Sequence, residues 1–428
     1  MTIAGTERPA WPAPYATGPV RGTVRLPGSK SLTNRALVLA ALSDGPSRVL
    51  APLRARDTTL MAAGLAMLGA GVTDGADGAW EVVPAPLAAS PATVDCGLAG
   101  TVARFLPALA TLGSAPVRFT GDPRMSERPL GPLLSALRTL GAQADADAIP
   151  VTVTGPAHGG PVTIDASTSS QLVSGLLLAG AGWPEGLDLH HRGPPVPSGF
   201  HLAMTVRMLR EHGIQVTAGS DRWQVAAGPL HARDRVIEPD LSSASAFLAA
   251  AAATGGEVTV PGWPAETDQP GALLPSLLEQ MGCTTTRSGE FLTVRGPDRL
   301  SGLDADLRDC PELALTLAAL ATLASSESRL TGIAHLRLQE SDRLAAIADQ
   351  LGVLGARISV LADGGLQVAP APLTAPRNGA LDPHADHRLA MAYAVVGLAV
   401  PGVRIRDIAT TAKTVPGFDR LWEDLVRG

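Results

Sequence analysis

SLTNRALVLAAL (31–42) is the stretch whose reading decides the fold. It is apolar around most of its circumference, so the helix it predicts belongs inside the protein rather than on its surface. Five later stretches share this character: TVARFLPALATL from Thr101, SQLVSGLLLAGA from Ser170, SASAFLAAAAAT from Ser243, ELALTLAALATL from Glu312 and HRLAMAYAVVGL from His387. Their starts lie 70, 69, 73, 69 and 75 residues apart. A second series runs in the same register. Helix-like segments end at Gly69, Gly141, Gly213, Gly282, Gly355 and Gly428, at intervals of 72, 72, 69, 73 and 73 residues. Glycine after an amphipathic helix is the expected left-handed C-cap. Short β-like stretches follow, such as AWEVV (79–83), RWQVA (222–226) and EFLTV (290–294). Two independent series with one period argue against chance. The reading is an α/β chain of six units, each with two helices interleaved with short strands. The composition break at HARDRVIEPD (231–240) divides them into two lobes of three.

Working outward, the whole chain of 428 residues is 45% hydrophobic and 17% charged. It therefore builds a large core, and disorder is excluded. At about 150 residues per domain, two to three domains are expected. A net charge of −6 argues against a dedicated nucleic-acid binder. It leaves an anionic small substrate open, because a cleft can be locally positive. The longest apolar run, LALTLAALATLA (313–324), is shorter than the roughly 18 to 20 residues a bilayer requires. The N-terminal MTIAGTERPAWPAPYATGP reads as a loose Pro/Ala leader without the apolar segment of a secretory signal. Cys96, Cys283 and Cys310 are far apart and read as free thiols of a reducing cytoplasm. Of 34 basic residues only Lys30 and Lys413 are lysines, and asparagine is confined to Asn34 and Asn378. GC-rich coding explains both scarcities. A lysine that persists in such a chain marks a place where a compact ammonium is needed and a guanidinium fails.

Both lysines fall in motifs. LPGSKSLTNRALVLAAL (26–42) offers Gly28 for close backbone approach, the hydroxyls of Ser29 and Ser31, and the charges of Lys30 and Arg35. It lacks the spacing of an ATP-binding P-loop. DCGLAGTVARFLPAL (95–109) sets Gly100 and Arg104 at a helix start, and STSSQLVSGLLL (167–178) opens another apolar helix with a polar cluster. GDPRMSERPLGPLLSAL (121–137) carries Arg124 and Arg128, one suited to a ligand carboxylate and the other to a structural ion pair. LRDCPELALTLAALATLA (307–324) puts Glu312 at the mouth of the most apolar helix, where a carboxylate is costly unless it is paired, capping or functional. Glu340 and Arg343 sit at i,i+3 in HLRLQESDRLAAIADQLG (335–352), a spacing that is ordinarily a surface pair. ADHRLAMAYAVVGLA (385–399) places Arg388 in an apolar helix, and TTAKTVPGFDRLWEDL (410–425) holds Lys413. Helix starts expose unpaired N–H groups. A set of buried starts bearing Lys, Arg, Ser, Thr and Gln suits a multiply anionic ligand. No metal-ligand spacing and no nucleotide or flavin motif is present, so neither metal nor cofactor is expected.

The motifs GSKSLTNRALVLAAL, GLAGTVARF, GDPRMSERPL, STSSQ, QESDRL, DHRLAMA and TAKTVPGF run in order from about residue 20 to 420. As a set they closely resemble the 5-enolpyruvylshikimate-3-phosphate synthase family. The related UDP-N-acetylglucosamine enolpyruvyl transferases share the fold but lack GSKSLTNR, and GDPRMSERPL has no counterpart of their loop cysteine. The resemblance implies a two-lobed enolpyruvyl transferase fold of six βαβαββ repeats, three per lobe. Residues 1–28 and 240–428 would form one lobe and 29–239 the other, closing like a clamp over the ligands. It implies transfer of the enolpyruvyl group of phosphoenolpyruvate to the 5-hydroxyl of shikimate 3-phosphate, with release of phosphate, by addition and elimination through a tetrahedral intermediate.

By that resemblance, Lys30, Ser31, Arg35, Ser169, Ser170, Gln171, Ser198, Glu312 and Gln339 meet shikimate 3-phosphate. Lys30, Gly100, Arg124, Gln171, Arg343, Arg388 and Lys413 meet phosphoenolpyruvate. Glu312 is the proton acceptor, Glu340 a second proton-transfer carboxylate, and Lys30 and Lys413 complete the catalytic set. A cytoplasmic monomer inhibited by glyphosate is implied, with Gly100 leaving the inhibitor room, and no nucleic-acid or membrane partner. Some positions depart from the family pattern. Glu312 stands where Asp is common, Gln339 where Lys is, His335 and His201 where Asn and Tyr are, and Phe105 where Pro is. The alternatives are a UDP-sugar acceptor, or a silent homologue that only binds anions.

Overall fold

The computed structural model describes residues 9–377 and 379–428, so residues 1–8 of the expected leader and Asn378 lie outside the described residues. The chain separates into two compact units, each with its own core. One comprises residues 27–238 with 267–269; the other comprises the chain up to residue 26, then 239–266 and 270–428.

The first unit is organised around three buried helices, α1 (Lys30–Leu42), α2 (Gly100–Ala110) and α3 (Ser170–Gly180). The second has α4 (Leu241–Thr254), α5 (Ala314–Thr322) and α6 (His387–Gly397) in the equivalent places. These are the six stretches expected from the sequence. Alanine, leucine and glycine let them pack on every side. Leu37, Leu39, Leu176 and Leu317 are fully shielded from water, and each such side chain contributes about 1.5–3 kcal/mol. At Gly175 the packing is closest: a Cβ there would lie 2.1 Å from the carbonyl oxygen of Arg104. Gly175→Ala should therefore cost about 1–3 kcal/mol through overpacking, read as a lower urea midpoint at unchanged slope. An unchanged midpoint would show that the helices separate freely.

Each repeat couples its buried helix to an amphipathic one and a sheet. The amphipathic helices end at Gly69, Gly141, Gly213, Gly282, Gly355 and Gly428, all with positive φ between 89° and 120°. The expected strands are present as Trp80–Val83, Arg222–Val225 and Phe291–Arg295. Five sheets are four-stranded, and in each one edge strand runs parallel to its neighbour while the remaining pairs are antiparallel. In two repeats that edge strand comes from far away in the chain. Arg235–Val236 pairs with Ser47–Leu50, and Arg21–Thr23 pairs with Glu257–Pro261.

The sixth sheet differs from its siblings. Arg404–Ile405 takes Trp11–Pro12 as its antiparallel neighbour and a single parallel bridge from Leu381. The leader is thus not loose at this point. Trp11 is buried, and its indole N–H donates to Glu423 Oε1 at 3.0 Å. A large apolar ring in an otherwise Pro/Ala-rich stretch has more to gain from burial than from solvent.

Candidate active site

In each unit the starts of the three buried helices bring the chemistry together. In the unit of α1–α3, Asn34 Nδ2 donates to Thr101 Oγ1 at 2.7 Å, joining α1 to α2. Lys30, the first residue of α1, has its Nζ 3.3 Å from Asp57 Oδ2, and that carboxylate is nearly inaccessible to water. Ser31 Oγ lies 3.3 Å from His201 Nε2. Arg35, one turn on, is buried without a carboxylate among its hydrogen-bond partners. It donates to Thr205 Oγ1, Ser174 Oγ and the carbonyls of Ser31 and His201 at 2.7–3.2 Å. Burial lowers its pKa to about 9, still cationic at neutral pH. Its guanidinium lies over the Phe105 ring at 5.3 Å from the centroid, a cation–π contact that accounts for an aromatic at this position.

Gly100 opens α2 and faces α3. A Cβ there would stand 2.8 Å from Gln171 Oε1 and 2.9 Å from Arg128 Nη2, so only glycine leaves this space clear. Gln171 Oε1 is buried with no hydrogen-bond partner. Ser169 caps α3 by accepting from the Gln171 N–H at 3.3 Å, and Ser170 is its buried first residue. Ser198, with φ +58°, initiates the helix Gly199–Glu211 that carries His201 and Thr205.

The structure separates the two arginines of GDPRMSERPL. Arg124 sits in an exposed ion pair with Glu127 within the turn Pro123–Glu127. Arg128 is buried, donates to the Leu98 carbonyl at 3.3 Å and faces Gly100. Of the two, Arg128 rather than the expected Arg124 is the one buried beside the start of α2. The sequence motif held both; the turn of 3-10 helix between them decides which points inward.

In the unit of α4–α6 the polar groups form an alternating ion chain. Lys413 Nζ lies 2.9 Å from Glu340 Oε1, and Glu340 Oε2 lies 2.8 Å from Arg343 Nη2. Arg343 Nε then meets Asp386 Oδ2 at 2.7 Å. Side-chain exposure is 11% for Lys413, 8% for Glu340, 5% for Arg343 and 0% for Asp386, so the i,i+3 pair is no surface pair. Burial opposes the charge of Arg343, but Asp386 and Glu340 outweigh it and raise its pKa. Asp386 also caps α6, accepting from the Arg388 N–H at 2.9 Å. Arg388 Nη1 donates to the Glu312 carbonyl at 3.0 Å. Burial and the neighbouring Arg343 lower its pKa. Glu312 lies in the turn Pro311–Leu313 that leads into α5. Burial lowers the pKa of His335, which favours its neutral form. Gln339 is half-buried at the end of the turn Ala334–Leu338.

Two groups of side chains thus emerge. One is cationic around Lys30, Arg35, Arg104 and Arg128; the other couples an ammonium to a carboxylate at hydrogen-bonding distance beside two arginines. Among the described residues no cluster of His, Cys, Asp and Glu could hold a metal. None of their helices is long and apolar enough to cross a membrane.

Comparison with known proteins gives these groups their context. The profile of the family described as EPSP synthase (3-phosphoshikimate 1-carboxyvinyltransferase) matches residues 14–422. The chain belongs to the EPSP synthase family. It is 49% identical over 427 residues to a 3-phosphoshikimate 1-carboxyvinyltransferase of Mycobacterium ulcerans, covering 98% of both chains. Its fold is similar to that of an EPSP synthase from Acinetobacter baumannii, with TM-score 0.79, 24% identity and 97% of each chain covered. It is also similar to the enolpyruvyl transferase NikO from Streptomyces tendae, with TM-score 0.73, 21% identity and coverage of 97% and 98%. The two-lobed α/β fold expected from the repeats accords with both. Asp57 and Asp386, which set the positions of Lys30 and Arg343, were not singled out from the sequence. Their partners are distant in the chain, and a lone aspartate near a helix start reads as a cap.

Proposed function

We propose that the chain catalyses the reaction of its family, transfer of the enolpyruvyl group of phosphoenolpyruvate to the 5-hydroxyl of shikimate 3-phosphate. The observation that carries the reading is the buried contact of Lys413 with Glu340 beside Arg343 and Arg388. The substrates bring two phosphates and two carboxylates, and addition–elimination demands proton transfer next to that charge. Lys30, Ser31, Arg35, Ser169, Ser170, Gln171, Ser198 and Gln339 receive shikimate 3-phosphate. Arg128, Gln171, Arg343, Arg388 and Lys413 receive phosphoenolpyruvate, with Gly100 keeping the space open.

In the first step the 5-hydroxyl oxygen bonds to C2 of phosphoenolpyruvate, Glu312 takes the hydroxyl proton, and the methylene carbon gains a proton through Glu340. In the second step the methyl group returns a proton and the C–O bond to phosphate breaks. Lys413 protonates the leaving phosphate, a role that a permanently charged guanidinium cannot fill. Residues 1–28 with 240–428, and 29–239, act as the two lobes. The enzyme works in the cytoplasm as a monomer, which sedimentation at working concentration would check.

Phosphate release is the deciding assay. It should require shikimate 3-phosphate and fail with UDP-N-acetylglucosamine. Release with the UDP-sugar would overturn the acceptor. Release with neither, while shikimate 3-phosphate still binds, would favour a silent homologue. Arg128→Ala should raise the KM for phosphoenolpyruvate at least tenfold, as loss of a charge-assisted contact worth about 1.5–3 kcal/mol implies. Arg124→Ala should change it less than twofold. The reverse order would return the role to Arg124. Glyphosate should compete with phosphoenolpyruvate; a pattern unaffected by phosphoenolpyruvate would remove it as an active-site ligand.

A further inference from the structure

A cavity of about 750 Å³ lies in the unit of α4–α6, away from the groups described above. Arg377, Arg404 and Arg406 line it, with Asp382 and Asp407 as its acidic groups and Ala385 in its wall. The carboxylates leave the arginines poorly compensated. Asp382 Oδ1 accepts from the His384 backbone N–H at 2.7 Å, and Asp382 Oδ2 makes only a long ion pair with Arg406 Nη1, at 3.9 Å. Arg404 donates to a neutral acceptor, the Ala10 carbonyl, at 3.2 Å. Guanidinium groups gathered in this way suit paired recognition of carboxylate or phosphate oxygens.

We propose that this cavity is a regulatory site for a small molecule bearing two or more anionic groups. Its walls supply the link to the reaction. His384 and Ala385 hold left-handed backbone, with φ +49° and +56°, and lead directly into Asp386, which holds Arg343. Asp407, with φ +39°, opens the turn Ile408–Lys413 that carries Lys413. Thr410 Oγ1 donates to the Ala385 carbonyl at 2.9 Å, tying the two turns together. Non-glycine residues persist in such backbone only where their surroundings hold them, and regulatory segments are where they gather. An anion that draws Arg406 further from Asp382 loosens the turn ahead of Asp386 and lowers turnover. This second claim rests on the proposed reaction; occupancy of the cavity does not.

The test uses the full chain, with shikimate 3-phosphate and phosphate present at saturation to fill the active site. Citrate and pyrophosphate are titrated by calorimetry in separate arms, against sodium chloride of equal ionic strength. One equivalent of at least one of the two should bind. Citrate alone would identify a polycarboxylate, pyrophosphate alone a polyphosphate, and both a site that reads charge. The double variant Arg404→Ser/Arg406→Ser should bind at least tenfold more weakly, and its kcat should no longer change when the anion is added. In the parent enzyme the bound anion should lower kcat without raising the KM for phosphoenolpyruvate. If the double variant fails to fold by circular dichroism, the exposed Arg377→Ser replaces it, with a loss of threefold or more expected. Absence of binding, binding unaffected by these substitutions, or pure competition with phosphoenolpyruvate would overturn the proposal. An inactive enzyme that still binds the anion through these arginines would leave the site standing and fault only the reaction.

Discussion

Glu312→Gln should lower turnover by about 10²-fold or more while shikimate 3-phosphate still binds. The substitution keeps the size of the side chain and removes its charge and its ability to hold the transferred proton, and general acid–base groups typically contribute about 10²–10⁴-fold. The backbone carbonyl of residue 312, which accepts from Arg388 Nη1, is untouched by the change. Steady-state phosphate release gives kcat, and calorimetry gives the affinity for shikimate 3-phosphate. Turnover within a few-fold of the parent would take Glu312 out of the proton path and leave Glu340 as the carboxylate to test. Loss of binding together with turnover would make it a ligand-holding group instead.

The largest effect on stability should come from Arg343→Met. Asp386 has no exposed surface and accepts from Arg343 at 2.7 and 3.2 Å, and Glu340 meets the same guanidinium at 2.8 Å. Removing the cation takes the guanidinium from buried Asp386 and leaves Glu340 to Lys413, and loss of one partner of such a buried pair costs about 3–5 kcal/mol. The unfolding midpoint in urea should fall accordingly at unchanged slope. Adding Asp386→Asn to Arg343→Met should recover part of the loss, since the two residues are directly coupled. A loss below about 1 kcal/mol would mean that the carboxylates find water or other partners on their own. Activity should collapse in both variants, so stability is the informative readout.

These two sites show how far the chain could be read before its fold was known. The repeat, the buried helices and the capping glycines were legible because each is a local pattern: an apolar circumference, then a glycine at a fixed distance. The polar helix starts at Lys30, Gly100, Ser170 and His387 were legible for the same reason. Arg128 was in view beside Arg124, but choosing between them requires knowing how one short turn winds. Asp57 and Asp386 were harder still. Their significance lies in burial and in partners supplied by other segments, and no local spacing encodes either. Trp11–Pro12 escaped because a two-residue strand has no periodicity to detect.

The borrowed edge strands impose an order of events on biosynthesis. Arg21–Thr23 is made well before its neighbour Glu257–Pro261, which follows more than 230 residues later. At roughly 5–20 residues per second the early strand waits about 12 to 47 seconds on the ribosome before it has anything to pair with. The other unit is held up in the same way, because Ser47–Leu50 lacks its parallel neighbour until Arg235–Val236 has been made. An unpaired strand edge is an invitation to aggregate. The borrowed strands are only three and two residues long, each headed by an arginine, so the pairing that is delayed is short. Translation speed between residues 24 and 256 therefore sets how long a nascent chain remains open to the wrong partner.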